Sequence, residues 1–187
     1  MKEALLEPLL RRMRLRQVLP VVVQYRDCEM LDIGCGWEAK LLRSVEFSIA
    51  RGEGIDQKAP ELCTEKLTTR RVQLSDSLPY RDESFDVVTM LAVLEHLSYP
   101  EAILAEICRV LKPGGRLLLT VPSKAAKPVL EFLAYTLGLV SEAEIRDHKC
   151  YYTKHSLREL ISLTGLEIEA HHYFQLGMNN LLICRKH

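Results

Sequence analysis

Six consecutive residues, Leu31-Asp32-Ile33-Gly34-Cys35-Gly36, have the types and spacing of a turn that closes on a small charged ligand. An apolar strand end comes first, then an acid, then two glycines one residue apart. The glycines permit a tight turn and let a ligand approach the backbone closely. A following helix would aim its free N–H groups at that ligand. Gly34-x-Gly36-x-x-Ala39 also satisfies the dinucleotide pattern G-x-G-x-x-G/A, so the glycines alone do not choose the ligand. Asp56 lies about 20 residues on, where an acid can bind ribose hydroxyls; the plain alternative is a strand-end turn residue. Asp32 discriminates better. It stands inside a strand expected to be buried, where an anion is costly unless a cation or hydrogen bonds compensate it. A pyrophosphate would repel it, whereas a ligand bearing an ammonium and a sulfonium would be attracted.

The elements that must hold these residues can be read from periodicity. Residues 2–18 have the spacing of an amphipathic helix, part of an N-terminal helix within residues 1–20. Arg11, Arg12, Arg14 and Arg16 give it a basic cluster: a solvated face, or a contact with anionic lipid or phosphate. Short strands are expected at 29–33, 49–55 and 71–74, with a helix at 37–47. Phe85–Leu91 is a near-continuous apolar run, as for a strand buried on both faces. A helix over 101–111 stops at Lys112-Pro113-Gly114-Gly115, and residues 116–121 form the next strand. This alternation predicts a parallel sheet with helices on both faces. Residues 124–140 look like one apolar helix; residues 128–140 are its core and carry only Glu131 as a charge. Core packing, a substrate wall, a dimer face or a membrane-surface contact would each explain it. A polar loop, a helix near 156–164 and two strands near 167–174 and 180–185 follow, the strands able to pair antiparallel.

The ordered segments resemble the motifs of class I S-adenosylmethionine-dependent methyltransferases of the small-molecule, type 11-like kind. They are Leu31–Gly36 as quoted, Gly54-Ile55-Asp56, Leu78-Pro79-Tyr80 with Ser84-Phe85-Asp86-Val87-Val88, Val93-Leu94-Glu95-His96-Leu97, and Arg109-Val110-Leu111-Lys112-Pro113-Gly114-Gly115. The resemblance covers residues 28–122 strongly and the rest weakly. It implies one doubly wound, mostly parallel seven-stranded α/β sheet with a C-terminal antiparallel hairpin, a single domain over 1–187. It implies S-adenosylmethionine as cofactor. Gly34, Cys35 and Gly36 would approach its methionine part, Asp32 would hold its amino group, Asp56 the ribose hydroxyls, and Gln57 would lie beside the adenine. The strand end at residues 90–92, with Leu91, would flank the cofactor on the substrate side. Two positions depart from the pattern. Glu38 stands where a third glycine is common, after a bulky Trp37. Leu74 stands where an adenine-binding acid is common, and Asp76 is the nearest acid to replace it.

In such enzymes the protein mainly aligns nucleophile, methyl carbon and sulfur, and a base is needed only if the acceptor loses a proton on attack. His96 is the candidate base, unless Glu95-His96 merely caps or orients the next helix. His148, Tyr151 and Tyr152 are second choices, and His171 and His172 fit hairpin packing. Related enzymes acting on catechol-like rings hold a divalent metal with Glu-x-x-Glu-His; here the first position is Ala92, so no metal is expected. Residues 122–152 would shape the acceptor as a lid. The expected reaction is O- or N-methylation of a small molecule. The rivals are a catalytically weak methyltransferase-like binding domain, suggested by Glu38 and Leu74, and an NAD-dependent oxidoreductase, suggested by the glycine pattern alone.

Composition bounds the partners. The chain has 187 residues, 48% hydrophobic, with 25 basic and 25 acidic residues, so its formal net charge is zero. This balance and the lack of an Asn/Asp-Pro-Pro-Tyr motif argue against a nucleic-acid partner. The six cysteines include no C-x-x-C pair and read as free thiols of a reducing cytosol. No signal-peptide pattern and no run of about 18 apolar residues is visible, so a cytoplasmic protein is expected, monomer or homodimer, compatible with peripheral membrane contact.

Overall fold

The computed structural model describes residues 4–187. Seven strands form one sheet in the order β3-β2-β1-β4-β5-β7-β6. β1 (Glu29–Ile33) and β4 (Phe85–Leu91) are its centre and run parallel, with Asp32 opposite Thr89 and Ile33 opposite Met90. β2 (Arg51–Asp56) and β3 (Leu67–Arg71) extend one side, β5 (Leu111–Pro122) the other. β7 (Asn179–Lys186) inserts antiparallel between β5 and β6 (Leu166–Phe174), as the closing hairpin pattern predicts. Chain order reverses between β1 and β4. The crevice at their carboxyl ends is where a sheet of this kind places its ligand.

Side chains alternate across the central strands and feed two cores. Met30, Val87 and Leu118 pack with Val18 and Val22 of α1 (Glu7–Val22) and with Leu42 and Val45 of α2 (Lys40–Val45). Leu31, Ile33, Val88 and Met90 pack with Ile103, Leu104 and Ile107 of α3 (Pro100–Val110) and Leu157 of α6 (Lys154–Ser162). Asp32, though on a central strand, is 3% exposed.

Several boundaries shift for local reasons. Residues 2 and 3 of the expected first helix lie outside the described residues; α1 starts at Glu7, with Pro8 in the first turn, where a missing N–H costs little. It runs past Pro20 to Val22, because proline there disturbs only the final turns. α2 is shorter than the expected 37–47: Ala39 adopts a left-handed conformation (φ +48°), which prolongs the glycine turn. β3 lies at 67–71 rather than 71–74, its threonines pairing in register with Gly52–Asp56. β5 begins at Leu111, and the Lys-Pro-Gly-Gly stretch becomes an irregularity inside the strand, after which Arg116 pairs with Val87.

The expected apolar helix over 124–140 is α4 (Ala126–Glu131) continued by a wider π-helical stretch, Phe132–Thr136. One side supplies Ala134, which packs with Val140, Ile145, Leu6 and Leu10. Val129, Phe132, Tyr135 and Leu137 are exposed, so core packing explains only one face. The expected polar loop contains a short helix, α5 (Glu142–Asp147), capped by Ser141, whose hydroxyl accepts from Glu144 N.

Candidate active site

The glycine turn follows β1 directly. Gly34 N and Cys35 N both donate to Ile55 O, at 2.8 and 3.2 Å, so the turn is tied to the end of β2. Gly34 (φ +77°) and Gly36 (φ +70°) both occupy the left-handed region. They differ in surroundings. A Cβ at Gly34 would sit 2.2 Å from Val93 Cγ2, whereas one at Gly36 would meet nothing within 4 Å. Gly34 is thus a packing glycine, and Gly36 borders open space. The Cys35 thiol is buried, which pushes its pKa up and leaves it inert.

Asp56 ends β2 beside this turn. Its carboxylate accepts from Gly36 N at 3.1 Å and from Lys58 N at 2.6 Å. A carboxylate has about four acceptor positions, so two bonds leave capacity for hydroxyl donors. Gln57 follows, exposed, as does Asp76 in the loop after β3; no hydrogen bond joins Asp76 to the turn. Leu74 is partly buried against the core, which makes it a packing residue.

Asp32 accepts one hydrogen bond, from Thr89 Oγ1 at 2.7 Å. Burial pushes its pKa from the ordinary 3.8 up to about 7; the Thr89 bond works the other way, and Asp56 adds to the rise. Among the described residues no cation pairs with it. Glu38, by contrast, is paired with Arg11 of α1 at 2.9 Å and with Lys40 at 2.7 Å. The residue that departs from the three-glycine pattern therefore pins the N-terminal helix to the glycine turn. Trp37 is exposed and packs into neither core.

On the other side of the crevice, Leu91 closes β4 and pairs with Thr120 of β5. Ala92 then takes φ +57°, a strained value for a residue with a side chain, of the kind found at functional sites. This turn lays Val93 over Gly34 and starts a 3-10 turn, Leu94–His96. His96 Nδ1 lies 2.9 Å from Asp147 Oδ2 at the end of α5. His148 packs edge-on against the His96 ring, and its Nδ1 lies 3.0 Å from Tyr151 Oη. Burial, helped by the neighbouring His96, pushes the His148 pKa down to about 4, so this ring is neutral at pH 7. Glu95 is 1% exposed, and burial raises its pKa. α1 brings Arg14 towards the same group, its Nε buried without a partner and its pKa lowered by burial.

The structure thus gathers His96, His148 and Tyr151, while Tyr152 is buried in the core on the α3 side and its backbone bonds to the end of β5. His171 bonds Asn180 across the hairpin at 2.9 Å, as hairpin packing predicts. Asp147 and Glu95 escaped sequence reasoning as partners in one cluster. The S-x-x-E pattern at Ser141 could have revealed α5, but not its neighbour in space. A cavity of about 370 Å³ lies at the end of β5, lined by Ser123, Lys124, Ala125, Tyr152, Thr153, Tyr173 and Gly177, and includes none of the cluster residues His96, His148 and Tyr151. Another, of about 440 Å³, lies along the basic side of α1. Neither includes the glycine turn.

This sheet order, with a glycine turn and two acids at the switch point, defines a methyltransferase-type domain. A family model described as a methyltransferase domain matches residues 4–171, and the chain belongs to that family. The nicotinamide oxidoreductase reading is thereby set aside. The ubiquinone/menaquinone biosynthesis C-methyltransferase UbiE of Laribacter hongkongensis is 36% identical over 89 residues, 45% of this chain and 36% of that protein. UbiE of Francisella tularensis subsp. novicida is 31% identical over 149 residues, covering 72% and 54%. The chain spans about half the length, or less, of such curated relatives. A chain of the Haloferax volcanii complex between the Trm112 methyltransferase activator and a methyltransferase superposes with a TM-score of 0.75 at 19% identity, covering 97% of this chain and 95% of that one. No described helix is long and apolar enough to cross a membrane.

Proposed function

We propose that this chain binds S-adenosylmethionine and transfers its methyl group to a small-molecule acceptor. The observation that carries the reading is Asp32, a buried carboxylate at the glycine turn with one hydrogen bond and, among the described residues, no cation to balance it. A ligand with an ammonium group supplies that balance. The open space beside Gly36 and the spare acceptor capacity of Asp56 fit the rest of the same molecule. When bound, the cofactor supplies a methyl group already activated on a sulfonium. The residues then have three tasks. Asp32 and the glycine turn hold the methionine end, Asp56 holds the ribose, and the Ala92–His96 connection faces the acceptor. Such alignment is worth up to about 7–11 kcal/mol of barrier.

His96, oriented by Asp147, supports an acceptor that gives up a proton: a hydroxyl, an amine, or a ring carbon made nucleophilic by a neighbouring hydroxyl. The last would suit the C-methyltransferases among the relatives. The rival reading, a binding domain without catalysis, draws on Leu74 in place of an adenine-binding acid and on Glu38. Its ion pairs with Arg11 and Lys40 turn that residue into a helix anchor.

Methyl transfer from labelled S-adenosylmethionine to fractionated metabolite pools, with calorimetry of the demethylated cofactor, tests the proposal. Absence of any cofactor binding would end it. Asp56→Ala is expected to weaken cofactor binding by ~1.5–3 kcal/mol, about ten- to a hundredfold in Kd. Because Asp56 also ties Gly36 N, a melting curve must show the variant folded, and unchanged affinity in a folded variant refutes the ribose role. His96→Ala is expected to slow single-turnover transfer by about 10²–10⁴ while cofactor affinity stays near that of the parent. An unaltered rate would remove His96 from the chemistry.

A further inference from the structure

We infer that Glu95, His96 and His148 form a binding site for one divalent transition-metal cation of the zinc type. One ligand atom from each of the three lies within 4.8 Å of the other two. They come from two segments that meet only in the fold: the 3-10 turn after β4, and the chain leaving α5. The meeting is fixed by backbone bonds from Lys149 N and Cys150 N to Glu95 O, at 2.7 and 3.4 Å. The absence of a first glutamate at Ala92 had spoken against a metal here. The third donor that compensates for it, His148, lies over fifty residues away in the sequence.

Two independent observations point to a ligand. The first is Glu95 itself. It is 1% exposed and its Oε2 is buried with no hydrogen-bond partner among the described residues. A lone buried carboxylate is costly. Arg14 is the nearby fixed cation, yet no hydrogen bond or ion pair joins the two. The second is the way the imidazoles are held. His96 Nδ1 is engaged by Asp147 and His148 Nδ1 by the Tyr151 hydroxyl. A metal-binding histidine characteristically donates its other N–H to an oxygen of this kind, which sets tautomer and ring direction. Nε2 of each ring is left as the donor, and neither has a hydrogen-bond partner among the described residues.

The donor set selects the ion. Two imidazoles and one carboxylate suit zinc, iron, cobalt or nickel rather than magnesium or calcium. Three protein donors leave at least one position open for an exogenous oxygen. Bonds of about 2.0–2.2 Å place tetrahedral donors about 3.3–3.6 Å apart, so separations of up to 4.8 Å must shrink by up to about 1.5 Å. Resting on the proposed methyl transfer, the open position would take the acceptor's oxygen and lower its pKa, so that its proton passes to solvent water and the oxygen attacks the methyl carbon as the carbon–sulfur bond breaks. His96 would then act by holding the cation rather than by taking the proton.

Tag-free full chain, stripped with a chelator and free of cofactor, is titrated with Co²⁺. One saturable site per chain, with visible d–d absorption displaced by Zn²⁺, is expected. His148→Ala and Glu95→Gln should each weaken Co²⁺ binding at least tenfold, and the exposed His155→Ala should not. Lack of saturable binding, or unchanged affinity in both cluster variants, overturns the inference. X-ray absorption of the wild-type zinc form needs no variant: two imidazole ligands are expected, and none overturns it. Calorimetry of the demethylated cofactor on the stripped chain separates the two readings. Metal binding without cofactor binding sinks only the proposed function, and the converse sinks only the metal site.

Discussion

Gly34→Ala is expected to destabilise the ligand-free protein by about 2–5 kcal/mol, while Gly36→Ala, two residues on, costs only about 1–2 kcal/mol. Both positions are left-handed, at φ +77° and +70°, which costs a residue with a side chain about 1–2 kcal/mol. Only Gly34 has a second penalty. Its added Cβ would stand 2.2 Å from Val93 Cγ2, and Val93 cannot retreat freely. It follows Ala92, itself held at φ +57°, and packs against the core on the α3 side of the sheet. Overpacking of this kind costs about 1–3 kcal/mol. Urea denaturation of the two variants measures the contrast. Gly34→Ala combined with Val93→Ala should recover the overpacking part and leave the backbone part. If Gly36→Ala proves as damaging to the ligand-free protein as Gly34→Ala, the close contact across the crevice is not what constrains the turn. The contrast should reverse for ligand binding, because the space a Cβ would fill at Gly36 is the space a ligand needs.

The same contrast explains what was legible in the sequence. The turn and Asp56 were readable because their partners lie within one βαβ unit, where spacing fixes geometry; Asp32 was readable as an acid inside a strand, but its partner Thr89, 57 positions on in β4, was not. The buried strand Phe85–Leu91 was readable because a near-continuous apolar run permits few alternatives, and Glu29–Ile33 because its short apolar stretch leads straight into the glycine turn. β3 was misplaced because its residues are Leu-Thr-Thr-Arg-Arg, an edge strand with little apolar signal. α2 was overextended because nothing marks Ala39 as left-handed. The His96 cluster was half legible. The Glu95-His96 pair could be placed after β4, but Asp147, His148 and Tyr151 reach it only because the chain returns between the ends of β4 and β5. That return is held by backbone bonds from Lys149, Cys150 and Tyr152, which carry no side-chain signature. The ion pair of Glu38 was illegible for the same reason. Its partner Arg11 sits 27 positions earlier, on a helix whose docking only the fold reveals.

Asp32→Asn is expected to stabilise the ligand-free protein at pH 8 and, in the same molecule, to weaken cofactor binding. The folded state raises the Asp32 pKa from 3.8 to about 7. Between those values the folded protein holds a proton that the unfolded chain has released, so stability falls as pH rises through this window and is level above it. About three pKa units correspond to at most about 4 kcal/mol. Asn keeps an acceptor for Thr89 and removes the charge, so the parent and variant should differ little near pH 4 and increasingly up to pH 7. Other groups titrate in both proteins, and the difference between them isolates this one. The ligand reverses the sign. A bound ammonium favours the ionised carboxylate, so binding below pH 7 must first expel a proton. Affinity for the demethylated cofactor should therefore rise by up to about tenfold per pH unit between pH 5.5 and 7, then level off. In Asp32→Asn that rise should vanish, with binding weaker than the parent at pH 8. Calorimetry in two buffers of different ionisation enthalpy would count the released proton directly. A parent whose affinity is flat across this range, with no proton released, would mean that Asp32 does not face the ligand's ammonium.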